Sequence, residues 1–486
     1  MRLDEYAEHD ALGLAELVRK GETSPAELRE AALEGIAKVN PALNAVLQVL
    51  GERSAAEVSA GVPDGAFRGV PFVVKELVCH AAGVPLDFGS RLARGVCFQH
   101  DTELMSRFRR AGLVLVGTTQ TPELGYNPTT ECVLHGPVHN PWMRGRSAGG
   151  SSGGSAASVA AGIVPIAHAN DGGGSIRIPA SCNGLVGLKP SRDRVPTGPD
   201  AGDPLCGWAV ELAVSRTVRD TAAMLDAVSG PDVGAPSYPV PPERPFLEEV
   251  GARPGRLRIA FTAKPASGKP IDPECVAAVE RTAALLEELG HDVAEAQPPL
   301  DWDAYLHAAH PVWAAYTARG VDMIAQLTGR QPSLETLEAA TLSCYQDGKR
   351  LLATDLLASF EYGNALSRAF GAFFESYDLL LTPTIARRPV PHGEMNQNKP
   401  GISAWEWTQH AFDLVPFTPA FNTTGQPAIS LPLHWSADGL PVGVQLAARL
   451  AEEAVLLRVA AQLEEARPWR DRRPPVHVAS AVEAAG

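Results

Sequence analysis

Three short segments carry residue types able to attack, activate or hold a carbonyl group. The first is Gly149-Gly150-Ser151-Ser152-Gly153-Gly154-Ser155-Ala156-Ala157. A glycine-rich turn that enters a helix presents unpaired backbone N–H groups at the positive end of a dipole, a place suited to negative charge. Composition alone also suits a flexible linker. The small, helix-compatible run 156–162 and the apolar run 163–167 that follow oppose that reading. No Lys-Ser/Thr pair closes the loop, so a phosphate-binding loop is excluded. The second segment is Asn170-Asp171-Gly172-Gly173-Gly174-Ser175-Ile176-Arg177-Ile178-Pro179. Three consecutive glycines open backbone angles closed to other residues. Successive N–H groups can then converge on one point and hold an oxyanion, with Ser175 placed to attack the carbonyl bound there. A tight turn with a solvent-facing serine accounts equally well for this segment alone. The third segment, Gly69-Val70-Pro71-Phe72-Val73-Val74-Lys75-Glu76, ends an apolar strand in a lysine. Most such lysines reach out to solvent; a buried one loses proton affinity and can act as a base near neutral pH.

Taken together, these segments resemble the amidase-signature family, whose mark is a lysine after a short apolar strand and two serines in glycine-rich loops. The family's Ser–cis-Ser–Lys pattern carries onto positions 75, 151 and 175 one by one, and the likeness runs from the N-terminal helices to Gly443. It implies a mixed, twisted α/β sheet covered by helices on both faces. It implies a cis peptide between Gly150 and Ser151. It also implies an acyl-enzyme amidase with Ser175 as nucleophile, Ser151 as proton relay and Lys75 as base. The amides of Gly172, Gly173, Gly174 and Ser175 would hold the oxyanion. Serine requires such an activating neighbour, because its hydroxyl is otherwise a poor nucleophile. Asp171 and Arg177 bracket the nucleophile turn and suit charge-assisted bracing of the loop. Ser152 suits either support of the relay or a helix cap.

Within the family, three stretches look most like the bacterial nylon-oligomer amidases, hydrolases of 6-aminohexanoate cyclic dimer. They are His168-Ala169-Asn170-Asp171, Asn183-Gly184-Leu185-Val186-Gly187-Leu188-Lys189-Pro190, and Phe421-Asn422-Thr423-Thr424-Gly425-Gln426-Pro427-Ala428-Ile429-Ser430-Leu431-Pro432-Leu433-His434-Trp435. Gly172 and Gly173 depart from the alanine-like character of that subgroup, which bears on pocket width. The implied substrate is an aliphatic or cyclic amide such as a 6-aminohexanoate oligomer. Aryl acylamides and urethanes (carbamates) need the same core. Tyr126, Asn127, Thr130, Glu131 and Cys132 precede the first glycine loop as candidate pocket residues, and Trp313, Tyr316, Phe417 and Phe421 are candidate apolar walls. For each of these, core packing is the better single-residue reading.

Competing chemistries are weaker. Gly149, Ser151 and Gly153 also satisfy the G-x-S-x-G pattern of α/β-hydrolases, with Asp378 and His434 as candidate partners. Yet the preceding Asn140-Pro141-Trp142-Met143-Arg144-Gly145-Arg146 reads as loop, not strand. The amidase subunit of a glutamine-dependent amidotransferase is an alternative within the family, without the arginine-rich stretch expected for glutamine. A non-enzymatic binding protein would have no need of the intact lysine and two serines. His135 and His139 have metal-ligand spacing, but Pro137 disfavours the helix such a pair needs. No metal and no cofactor are expected.

The elements that must position these groups alternate strand and helix. Apolar runs at 70–74, 113–116, 163–167, 257–261, 379–381, 429–433 and 442–446 are of strand length. Pro165 weakens the third. Residues 10–20, 24–40, 103–111, 217–229 and 275–289 read as helices. The second of these opens with a Ser24 to Glu27 capping box and stops at Asn40-Pro41. This pattern predicts an α/β fold over one domain, residues 1–486, with a mostly helical region at about 303–376. That region is either an insert lining a substrate pocket or a set of outer helices. The net charge of −14 disfavours nucleic-acid and anionic-membrane partners. Seven cysteines without a CxxC pair fit a reducing cytoplasm. No run reaches ~18 apolar residues, so no membrane span is expected. The expected partner is a small amide; the assembly is open, a homodimer being the common case.

Overall fold

The computed structural model of the chain describes residues 1–237 and 239–480. Its frame is two sheets. In the smaller, Val114–Thr119 lies between Val46–Val49, antiparallel to it, and Pro71–Lys75, parallel to it. The larger has eight strands in the order Asp292–Glu295, Arg258–Phe261, Leu379–Pro383, Pro441–Ala448, Ala428–Trp435, Val186–Lys189, Val210–Ser215 and Ile166–Asp171. Its first three strands run parallel and the remaining pairings are antiparallel. The sheet is therefore mixed, and every residue of Pro441–Ala448 is buried, as expected where both faces are covered. Phe72 and Val116 of the small sheet share one apolar cluster with Ala167, Val214, Leu381 and Leu446 of the large one.

Several boundaries differ from the sequence expectation, each for a local reason. The strand expected at 163–167 begins at Ile166, after Pro165, which has no N–H to donate to a ladder, and runs on to Asp171. The helix Pro25–Leu43 passes through Pro41 instead of stopping before it. It ends less than a turn later: the Asn40 carboxamide oxygen accepts from the amides of Ala45 (2.9 Å) and Val46 (2.8 Å), and Asn44 closes the helix at φ 55°. At the other end the Ser24 and Glu27 capping box is formed. Val46–Val49, Val186–Lys189, Val210–Ser215 and Asp292–Glu295 are strands that the apolar runs do not mark. Gln48, Gly187, Glu211 and Asp292 interrupt their apolar character, and pairing with neighbours compensates.

The region 303–376 is three helices, Trp302–Thr328, Ala339–Gly348 and Ala353–Ser376. They pack through Trp302, Tyr305, Leu306, Trp313 and Phe370 into a second apolar cluster with Tyr126, Trp407 and Phe421. Among the described residues, no helix is long and apolar enough to cross a membrane.

Candidate active site

Every residue of Pro71–Lys75 is buried, so the lysine at its end has no route to water. Its backbone N–H donates to His168 Nδ1 (3.2 Å), and His168 Nε2 lies 2.6 Å from Glu211 Oε2. Nδ1 must accept there, so Nε2 carries the proton and donates to the carboxylate. This chain of contacts ties the end of the small sheet to the edge of the large one. The Lys75 ammonium is 2.7 Å from Ser151 Oγ, 3.0 Å from Ser152 Oγ and 2.6 Å from Asn170 Oδ1. Burial drives its pKa down to about 7, against the opposing pull of Glu211 and Asp171.

A neutral amine has two N–H donors and one lone pair, and the surroundings assign all three. Asn170 Nδ2 donates to the Leu77 carbonyl (2.9 Å), leaving Oδ1 as an acceptor for Lys75. Ser152 Oγ donates to the Asn170 carbonyl (3.3 Å) and so accepts from Lys75. The lone pair is left facing the Ser151 hydroxyl, the arrangement a general base needs. Asn170 is a site residue that the sequence holds in plain view beside the glycine turn, but nothing in its type or spacing assigns it this task.

The loop carrying Ser151 is fastened from outside. Thr130 Oγ1 donates to the Gly149 carbonyl (2.7 Å) and accepts from the Gly153 amide (3.0 Å). At Gly150 a β-carbon would lie 2.5 Å from the carbonyl oxygens of both Asn127 and Thr129, so only glycine fits. The peptide bond between Gly150 and Ser151 is cis. The helix Gly153–Ala160 follows, buried throughout, and Ser155 Oγ meets Thr119 Oγ1 at 2.7 Å beside the strand of Lys75.

The turn carrying Ser175 is organised by one buried ion pair. Arg177 Nε and Nη2 donate to Asp171 Oδ2 and Oδ1, both at 2.9 Å, and neither side chain has exposed surface. Burial alone would raise the Asp171 carboxyl; Arg177 and the Asn422 amide pull it down to about 2. The remaining Arg177 donors go to the Thr418 carbonyl, Gln445 Oε1 and Asn422 Oδ1. Asp171 Oδ1 also takes the Gly174 amide at 2.6 Å. That bond corrects the expected donor set: Gly174 N–H points into the carboxylate and is not free for an oxyanion. Among the described residues, the amides of Gly172, Gly173 and Ser175 have no hydrogen-bond acceptor. Gly174 has another task, since it stands at φ 130° with Thr418 Oγ1 where a β-carbon would be.

Ser151, Asn170, Gly172 and Ser175 open on one cavity of about 480 Å³, and no hydrogen bond joins Ser151 to Ser175 across it. Leu77, Phe88, Phe98, Leu124, Leu205 and Ile324 give it apolar walls. Of the expected contacts, Trp313 and Tyr316 line this cavity, both from the helix Trp302–Thr328; the other two helices of the 303–376 region contribute nothing to it. Tyr126 and Asn127 line a narrower recess that also reaches Ser175 and Trp313. The Tyr126 and Trp313 rings stack at 4.3 Å and 18°. The Asn127 side chain is occupied by the Met395 carbonyl and the Thr129 amide. Five expected contacts are corrected. Thr130 braces the serine loop, Cys132 and Phe417 are buried away from both spaces, and Phe421 packs on Phe370 at 5.8 Å. Glu131 likewise turns away, accepting from the Gly393 amide at 2.8 Å.

The α/β-hydrolase alternative fails on geometry. Asp378 pairs with Arg258 at the surface and His434 Nε2 lies 2.7 Å from Glu274 Oε2; neither lines the cavity. His135 and His139 also part company, His135 facing Asp87 (2.7 Å) and His139 facing His392 (3.1 Å).

The chain is similar to known proteins over nearly its whole length. The family model described as Amidase matches residues 27–457. A 6-aminohexanoate-cyclic-dimer hydrolase of Paenarthrobacter ureafaciens is 39% identical over 483 residues, covering 96% of each chain. A solved structure of 6-aminohexanoate cyclic dimer hydrolase superposes with a TM-score of 0.93 at 38% identity, over 97% of this chain and 99% of that one. A bacterial aryl acylamidase of the amidase-signature enzymes superposes with a TM-score of 0.85 at 25% identity, over 95% and 96%.

Proposed function

The chain belongs to the amidase-signature family of amide hydrolases, and on that premise we propose that it cleaves aliphatic or cyclic amides through an acyl-enzyme on Ser175. The observation that carries this reading is the 2.7 Å contact between the Lys75 amine and Ser151 Oγ on the cavity that also holds Ser175. Neutral Lys75 takes the Ser151 proton as Ser151 takes that of Ser175. Ser175 Oγ bonds to the substrate carbonyl carbon. The carbonyl oxygen becomes an oxyanion held by the amides of Gly172, Gly173 and Ser175. The proton returns through Ser151 to the leaving nitrogen, and the C–N bond breaks. Water then attacks the ester by the same relay, releasing the acid and restoring Ser175. Each oxyanion donor of this kind is worth roughly 3–4 kcal/mol of barrier.

The substrate class follows from the walls. The cavity is apolar on most sides, which favours a neutral substrate dominated by methylene groups, and 6-aminohexanoate oligomers have that character. A second reading, an aryl acylamide, is favoured by the stacked Tyr126 and Trp313 beside Ser175, where an aromatic acyl or amine group would fit.

Two measurements test the proposal. A fluorophosphonate probe should label Ser175, and Ser175→Ala should lose both label and turnover by about 10⁶-fold. Full activity in folded Ser175→Ala protein would end it. A panel of cyclic dimer, linear oligomer, nitroanilide, primary amide and urethane then ranks the substrate classes by kcat/KM.

A further inference from the structure

The cavity that holds Ser151 and Ser175 is also lined by His80 and Asp200, and His100 stands beside them. We infer that His80, His100 and Asp200 form a binding site for a divalent transition-metal ion of the zinc type at the rim of this cavity. One ligand atom from each residue lies within 4.8 Å of the others. His100 Nε2 is 2.8 Å from Asp200 Oδ2, and His80 Nε2 is 3.4 Å from the same oxygen. Ligands at the usual ~2.0–2.1 Å from zinc are about 3.3 Å apart at the edges of a tetrahedron, so both histidine-to-carboxylate distances are close to such an edge, and the ligand atoms of the two imidazoles lie within 4.8 Å of each other.

The state of His80 is the independent sign of a missing partner. Its Nδ1 lies 3.1 Å from the Val78 carbonyl, which can only accept, so Nδ1 carries the proton. Its Nε2 is left with a lone pair, has no hydrogen bond, and belongs to a side chain only 3% exposed. A buried imidazole held this way, with one nitrogen donating to a carbonyl and the other left with a free lone pair beside a carboxylate, has the arrangement that orients a metal-ligating histidine. Stacking on Phe98 at 4.1 Å fixes the ring. His100 and Asp200 are exposed, which leaves an open coordination position for water. Two imidazoles and one carboxylate favour zinc, cobalt or nickel over calcium or magnesium, which prefer all-oxygen sets. The ion would join two segments distant in sequence, and the second, through Leu205, reaches the cavity wall.

The test uses the full chain, stripped with a chelator and dialysed against Zn²⁺ or Co²⁺ alone. One equivalent per chain should bind in the micromolar range, and the cobalt form should show visible ligand-field bands. His100→Ala and Asp200→Asn change exposed residues and should fold; each should weaken binding beyond the about 10–100-fold cost of losing a mere supporting partner. His100→Cys, which keeps a ligand, should recover much of it, and His135→Ala should bind like the parent. No saturable binding, or unchanged binding in the His100→Ala/Asp200→Asn double variant, would overturn the assignment.

Discussion

Two lysines of this chain lie at the ends of buried strands, and both are pushed by burial to a pKa of about 7. Lys75 ends a strand of the small sheet; Lys189 ends Val186–Lys189 in the large one. At Lys189 the Arg177 guanidinium adds to the depression, and Asp171 opposes it. By proton affinity alone the two are equivalent bases. Their partners differ. Lys189 Nζ donates to the Pro190 carbonyl (2.8 Å), a group with no proton to give. Lys75 meets two hydroxyls and a carboxamide, and one of those hydroxyls faces the cavity of Ser175. Desolvation makes a base of either lysine; only hydrogen-bond connection to a nucleophile makes a catalyst of one.

The sharpest way to break this comparison is to remove each amine. Lys75→Met should lower kcat by about 10²–10⁴-fold, the usual worth of general base catalysis. Lys189→Met should keep kcat within about tenfold, because a buried charge exchanged for a similar apolar volume is often tolerated. Equal losses in the two variants would erase the distinction. The carboxylate that both lysines feel comes next. Asp171→Asn leaves Arg177 buried without its ion-pair partner and should cost about 3–5 kcal/mol in denaturant unfolding, with the Ser175 turn disordered as a consequence.

The pH dependence separates the lysines in another way. Only the neutral Lys75 amine accepts a proton, so kcat/KM should fall about tenfold per unit as pH drops below about 7. The same acid limb should persist in Lys189→Met. Stability behaves differently, because both lysines contribute. Each titrates near 7 when folded and near the ordinary 10.5 when unfolded, so between these values the unfolded chain binds more protons. Stability contributed by these groups therefore rises with pH across that window and is lost as pH falls toward 7. Thermal midpoints of either methionine variant should show a shallower rise than the parent. The smallest effect is reserved for Ser152→Ala. It removes one acceptor from Lys75 and should lower kcat by about 5–10-fold, the worth of about 1 kcal/mol for one hydrogen bond.

Much of the catalytic centre was legible in the sequence because its chemistry rests on rare local patterns. Consecutive glycines announce backbone placed for close approach, and a lysine closing a run such as Phe72-Val73-Val74 announces either escape to solvent or burial. Strands such as Pro71–Lys75 and Pro441–Ala448 were legible as continuous apolar runs. Val210–Ser215 was not, because Glu211 interrupts it; in the fold that glutamate accepts from His168, on the far side of that imidazole from Lys75. The pocket walls were legible only in part. Trp313 and Tyr316 stand out as aromatics, whereas Leu77, Leu124, Leu205 and Ile324 are ordinary leucines and isoleucines until the chain folds around one space.

By itself, then, the sequence determined which groups can do chemistry: two serines in glycine turns, one lysine at a strand end, and an acid and a base bracketing the second turn. These depend on residue type and near neighbours, which are encoded locally. Tertiary structure decided which of two buried lysines is connected to a nucleophile, which glycine amide is taken by Asp171, and which apolar side chains enclose the cavity. Those outcomes depend on hydrogen-bond partners and contacts supplied by segments far apart in the chain, and a hydroxyl or a carbonyl becomes a partner only once folding has excluded water from the choice.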